Sequence, residues 1–222
     1  MRCMRAAYFG LLNHVDDQLR RLINPVKGLR HRQDTLIILT SDHGEMLGDH
    51  YRLRKSVAYE GSARVPFLIS APAQFGIQPG RVIASISTHA DILPTLLDML
   101  GIAIPGSVDG LSLYPLLRGE TPPAWRPWLH IEHAPHHQCL HDGREKYIWQ
   151  PGDGHEQLFD LSSDEGEQHD LAGEAGYASH LACWRERLIE RLRHRPEGFV
   201  QDGALVPGRP YGAVIGPGGP AR

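Results

Sequence analysis

Three cysteines, Cys3, Cys139 and Cys183, are all the thiols in these 222 residues, and they lie too far apart to suggest a disulfide framework. Such sparse usage fits a reducing, cytoplasmic setting, although the compartment itself stays open. No stretch approaches the roughly eighteen consecutive apolar residues that a membrane-spanning helix needs. The start, Met1 to Leu12, pairs early charge with a short apolar portion, but it lacks a small-residue cleavage site and runs on into a helical stripe. Basic clusters are missing too. A formal net charge of -3 without a polybasic run argues against nucleic acid or an anionic membrane as partner. No internal repeat is visible.

What is present is an ordinary globular composition: 41% hydrophobic and 22% charged residues, enough to bury a real core in one domain plus a small appendage. Tyr8, Leu11, Leu12, Val15, Leu19, Leu22 and Ile23 recur at helical spacing, predicting a helix over about 4–23 that stops at Asn24-Pro25. Strands are predicted at 35–41 and 65–70, and the alternation of Arg81 to Ser87 predicts another. Asp91 is placed to cap a helix through Leu100, with Pro94 in its first turn and Gly101 closing it. This order fits the edge of a doubly wound sheet.

After about residue 105 glycine and proline become frequent, and short strands are predicted at Trp128–His133, Lys146–Trp149 and Gln157–Leu161. The turn Pro151-Gly152-Asp153-Gly154 separates the last two. Leu181, Trp184, Leu188 and Leu192 make a second apolar stripe, predicting a helix over about 176–194. The expected fold class is α/β: part of a doubly wound, mainly parallel sheet over 1–105, then a small antiparallel α+β subdomain over 106–195. An irregular tail is expected over 196–222.

The chemistry concentrates where the first strand ends. Leu36 to Leu39 is a continuous apolar run of the kind a strand covered on both faces requires, and Asp42-His43-Gly44 follows it. Open α/β sheets bind ligands outside the carboxyl ends of their strands, so a carboxylate oxygen and an imidazole nitrogen fall where a divalent cation would be held. Lys55 follows twelve residues after His43. The same residues are also good turn formers, and a loop lysine is ordinarily just solvated. His50, beside Asp49, is a substrate-pocket candidate. His130, His133, His136, His137 and His141 crowd around Cys139, a tract that can bind zinc but matches no structural zinc spacing.

The longer string decides between these readings. Thr40-Ser41-Asp42-His43-Gly44-Glu45-Met46-Leu47-Gly48-Asp49-His50, Lys55, then Tyr59-Glu60-Gly61-Ser62-Ala63-Arg64-Val65-Pro66-Phe67 closely resembles the sulfatase family, within the alkaline phosphatase superfamily. Weaker resemblance continues through Asp91 to Thr95, Gln157 to Leu161, Glu167, Asp170-Leu171 and Pro196 to Gly198. It implies that Asp42 and His43 help hold a divalent cation, calcium first with manganese or magnesium as alternatives, and that Lys55 contacts sulfate oxygens.

Two family features are not found in the sequence: a strand ending in paired aspartates and a Cys-x-Pro-x-Arg or Ser-x-Pro-x-Arg segment that yields the formylglycine nucleophile. The nearest approach, Cys183 to Arg187, has arginine in place of proline and reads as helix, while Asp16-Asp17 read as the charged side of the first helix. The expectation is therefore the C-terminal half of a sulfuric ester hydrolase acting on a small sulfate ester, inactive alone, with formylglycine in the missing half. The alternatives are a phosphonate or phosphate ester hydrolase of the same superfamily, or a non-catalytic metal-binding fragment. Oligomeric state is not legible.

Overall fold

The computed structural model describes residues 2–28, 34–122, 124–133 and 136–208. Contacts divide the chain into two units, residues 1–54 with 64–125, and residues 55–63 with 126–222.

In the first unit, α1 (Arg2–Gly28) runs beyond the predicted stop and carries Pro25 inside it. Proline costs most in a helix interior; here the break falls only three residues before the helix ends, so the last turn absorbs it. Tyr8, Leu19 and Ile23 of its stripe are half-buried, while Leu11, Leu12, Val15 and Leu22 are exposed. The aspartates behave as read: Asp16 and Asp17 sit on the helix, Asp16 accepting from Arg20 Nη2 at 2.9 Å.

Strand β1 (Ile37–Thr40) pairs antiparallel with β2 (Phe67–Ser70), from Ile37 opposite Ser70 to Thr40 opposite Phe67. No parallel pair occurs among the described residues. Leu39 and Leu68 are exposed, so this pair lacks the cover on both faces that its apolar run predicts. The predicted strand at 81–87 is irregular. Alternation makes a strand only when a neighbour pairs with it. Here Val82 is exposed, and the carbonyl of Ile86 accepts from the Trp125 indole at 3.0 Å instead of from a ladder.

Helix α3 (Ile92–Met99) starts where it was expected, but Asp91 does not cap it as an ordinary N-cap. The buried Asp91 side chain accepts from the amides of Thr88 at 2.9 Å and Leu111 at 2.8 Å. Thr95 Oγ1 donates to the Asp91 carbonyl at 2.6 Å and accepts from Leu113 N at 2.8 Å, leading into the short α4 (Tyr114–Arg118). Gly110 is required here, because a Cβ on it would meet the Ala90 carbonyl oxygen at 1.9 Å. Gly101, at φ 67°, closes α3 as predicted.

The second unit opens with residues 55–63, including the single turn α2 (Glu60–Ala63). Its centre is the antiparallel meander β3 (Leu129–His133), β4 (His137–His141), β5 (Glu145–Trp149) and β6 (Glu156–Asp160), in that spatial order. Strand β4 was not predicted as a strand: histidines and Gln138 hide its alternation. Asp142 makes the β4–β5 turn, its carboxylate accepting from the amides of Arg144 at 2.8 Å and Glu145 at 2.7 Å.

Side chains alternate across the meander. One face sends Leu140, Tyr147, Trp149 and Leu158 against Trp184, Leu188 and Leu192 of α5 (Ala178–Leu192), the predicted stripe. The other face gathers Cys139, Ile148 and Phe159 around Ala58. The expected irregular tail contains a hairpin, β7 (Val200–Gln201) with β8 (Ala204–Leu205), turned by Asp202 and Gly203, both at positive φ. Asp-Gly is favoured there because it tolerates the left-handed turn matching strand twist. Just before it, Phe199 is fully buried, edge-on to Trp149 with ring centroids 5.9 Å apart. The part of the expected tail from 209 to 222 lies outside the described residues.

Candidate functional site

The chain leaves β1 at Thr40 and turns at once. Ser41 Oγ donates to the His43 carbonyl at 2.7 Å, and the His43 amide donates to Asp42 Oδ1 at 3.0 Å. These local bonds set both residues at the strand end.

The His43 ring is oriented by the Gly44 carbonyl, 2.8 Å from Nδ1. A carbonyl can only accept, so Nδ1 carries the proton and Nε2 of the neutral ring keeps its lone pair. That Nε2 lies 3.3 Å from Asp42 Oδ2. In that tautomer the imidazole lone pair and the carboxylate oxygen are close enough to serve one cation, and with the ring protonated the two form an ion pair. The donor set fits a divalent metal in part: one hard carboxylate and one imidazole. Among the described residues, no group of three or more His, Cys, Asp or Glu is arranged to hold a metal ion.

Beyond the pair, the loop 45–54 closes on itself. Glu45 Oε1 accepts from the amides of Leu47 at 3.2 Å and Arg54 at 2.5 Å, and the Met46 and Gly48 amides donate to the carbonyls of Arg54 and Arg52, each at 2.8 Å. Met46 is buried beneath it. From α1, Arg5 donates to the Leu47 carbonyl at 2.9 Å and to Asp49 Oδ1 at 2.7 Å. His50 stands at the loop tip in left-handed backbone, φ 51°, followed by Tyr51 at 56°. Asp49 thus pairs with an arginine.

Lys55 is exposed and begins the second unit, flanked by Arg54 at φ 67° and Ser56 at φ 81°. Asp42, His43 and His50 all belong to the first unit, where Asp42 and His43 are brought together.

The histidine tract is mostly strand. His130 Nε2 donates to Gln138 Oε1 at 2.8 Å, and its Nδ1 accepts from Arg191 at 3.3 Å. Burial holds His130 and His141 below the ordinary imidazole value, so both favour the neutral form. His133 and His136 stack with centroids 5.3 Å apart. Burial pushes the Cys139 thiol up to about 12, which makes it a poor thiolate ligand.

Several residues with a part in this geometry escaped the sequence reading. Glu45 and Arg5 brace the loop, His89 places Nε2 3.2 Å from Thr40 Oγ1 at the end of β1, and Lys146 is wholly buried. Only Lys146 left a legible signal, a charge inside an otherwise apolar strand, Lys146-Tyr147-Ile148-Trp149.

Comparison with known proteins identifies the family. The Sulfatase family model matches residues 3–102. The chain is 37% identical over 214 residues to an arylsulfatase of Clostridium perfringens (strain 13 / Type A), covering 95% of this chain and 44% of that protein. Its fold matches a protein solved in complex with its substrate D-glucosamine-2-N,6-O-disulfate, with TM-score 0.74 and 29% identity over 82% of this chain and 39% of that one. It also matches a phosphonate monoester hydrolase from Silicibacter pomeroyi, with TM-score 0.73 and 33% identity over 85% of this chain and 40% of the other. The chain spans less than half the length of each of these relatives.

Proposed function

Because this chain belongs to the sulfatase family, whose members generally use a divalent metal, we propose that it supplies part of the active centre of a sulfuric ester hydrolase acting on small sulfate monoesters. Asp42 and His43 are its metal ligands, for calcium first, with manganese and magnesium as alternatives. Lys55 contacts the nonbridging sulfate oxygens, and His50 is a substrate contact.

The observation that carries this reading is the strand-end pair, in which the Gly44 carbonyl holds the His43 proton on Nδ1 and leaves Nε2 facing Asp42 Oδ2 at 3.3 Å. A bound divalent cation supplies charge stabilisation at the sulfate oxygens. Asp42 contributes anionic oxygen to hold it, and His43 contributes a lone pair whose direction is fixed by the Gly44 bond. The Lys55 ammonium places a fixed positive charge against oxygens that gain negative charge as the ester bond breaks.

The attacking group belongs outside these 222 residues, which contain no Cys-x-Pro-x-Arg or Ser-x-Pro-x-Arg segment. Electrostatic groups without a nucleophile supply only part of the acceleration, so these residues alone turn over sulfate esters at a negligible rate.

The likeness to a phosphonate monoester hydrolase favours a second reading on the same scaffold, in which the ester is a phosphonate or phosphate. Turnover of nitrophenyl sulfate and of a phenyl phosphonate monoester by the complete protein separates the two. Sulfate turnover at the higher kcat/KM, lost on chelation, supports the sulfatase reading. Preference for the phosphonate overturns it in favour of the second.

A further inference from the structure

The segment bearing Lys55 is fastened to the C-terminal sheet by one buried ammonium. Lys146 lies on β5, on the face opposite α5, and is fully buried. Its Nζ donates to the Ala58 carbonyl at 3.0 Å, Glu60 Oε1 at 2.6 Å and Glu167 Oε1 at 2.7 Å, using every proton an ammonium has. Glu167 closes the circuit, its second oxygen accepting from the Glu60 amide at 2.6 Å. Beside this, the Tyr59 hydroxyl donates to Gln157 Oε1 at 2.9 Å, and its ring meets Phe159 edge-on at 6.1 Å.

Burial alone pulls the lysine toward neutrality, but its charged neighbours outweigh that and hold its pKa above the ordinary value. Cys139, neutral at pH 7, leaves Glu167 and Glu60 as the charges that matter.

Stability is a weak reason for such an arrangement, since well-packed apolar residues in place of a buried ion triad are often neutral or stabilising. A stronger reason lies just upstream. Lys55 sits between two non-glycine residues in left-handed backbone, and such conformations persist only where the surroundings over-determine them. Three residues on, Ala58 is buried against Cys139, Ile148 and Phe159.

We infer that Lys146, with Glu60 and Glu167, is a positioning device for Lys55: it clamps residues 58–60 to the meander and so fixes the backbone from which the Lys55 ammonium reaches its anion. This rests on the reading of Lys55 as the sulfate contact. It makes the C-terminal sheet a working part of the catalytic apparatus, although the sheet itself carries none of the proposed catalytic or metal-binding residues.

The test is a double-mutant cycle in the complete protein, with nitrophenyl sulfate turnover and amide exchange at Glu60 as readouts. Lys55→Ala and Lys146→Met each lower kcat/KM by about 10²-fold, the scale of a small misplacement. Together they lower it no further than Lys55→Ala alone, and Lys146→Met accelerates exchange of the Glu60 amide. Glu167→Gln, which keeps an acceptor and removes a charge, gives the same pattern at smaller amplitude and serves if Lys146→Met does not fold. Effects that multiply, alongside an impaired Lys55→Ala, overturn the positioning role alone. Full activity of Lys55→Ala overturns the sulfate-contact reading, and the positioning role with it.

Discussion

Trp149, Trp184, Tyr147, Phe159 and Phe199 of the second unit are at most 2% exposed, whereas Phe9, Leu11, Leu22, Leu68 and Val82 of the first are 56 to 93% exposed. The second unit closes a core of its own, with a helix on one face of a meander and residues 58–60 on the other. The first unit carries the Asp42–His43 pair but leaves parts of the apolar faces of α1 and of the β1–β2 pair exposed among the described residues. The closed core and the proposed metal ligands thus fall in different units.

Core truncation gives the largest expected contrast. Trp184→Ala should cost the second unit about 3–5 kcal/mol, the range for removing a buried tryptophan side chain. Denaturant unfolding followed by far-UV circular dichroism measures it, and a loss under about 1 kcal/mol would mean that this core is not what holds the unit together.

Acid separates the units next. Burial opposes ionisation of Glu156, yet Arg185, donating twice at 2.7 and 2.6 Å, and Tyr147, donating at 2.5 Å, outweigh it and hold the carboxyl below its ordinary 4.5. A group depressed by folding stabilises above its unfolded pKa, and that stability is lost as pH falls through the folded one. The buried His130 and His141 imidazoles, held below 6.5, act in the same direction at higher pH. The second unit's Tm should therefore drop first as pH falls below about 6.5 and again below about 4.5. Glu156→Gln should shrink the lower step by about 1 kcal/mol after allowing for the half-open arginine, leaving the part due to Asp160 and Glu197, whose carboxyls Ser162 and Arg195 also hold below their ordinary values, and should spare the upper step. A Tm that stays level from pH 7 to 4 would contradict this.

The smallest effect belongs to α1. Leu22→Ala should change stability by less than about 0.5 kcal/mol, as expected for an exposed side chain. A loss above about 1 kcal/mol in the same denaturant experiment would show that the stripe is covered and would break the comparison between the units.

These contrasts follow the division between what was legible in the sequence and what was not. The α5 stripe and the strands at β5 and β6 are local patterns, readable because burial imposes periods of 3.6 or 2 on neighbouring residues. Strand β4 was hidden because two of its five residues are histidine and one is glutamine. The 81–87 segment misled because its alternation has no partner strand. Asp202-Gly203 was a readable hairpin signal masked by the surrounding proline and glycine. The Lys146 clamp was least accessible of all: its carboxylates come from 86 and 21 residues away, and no local pattern announces a contact at that separation.

In the proposed site Asp42 and His43 share one divalent cation while Lys55 serves the substrate and not the metal. Metal content and nitrophenyl sulfate turnover of the complete protein, measured side by side for Asp42→Ala and Lys55→Ala, test it most directly. Asp42→Ala should lose both metal and turnover, and Lys55→Ala should keep the metal while losing turnover. Equal metal loss in the two variants, or full metal retention in Asp42→Ala, would contradict it.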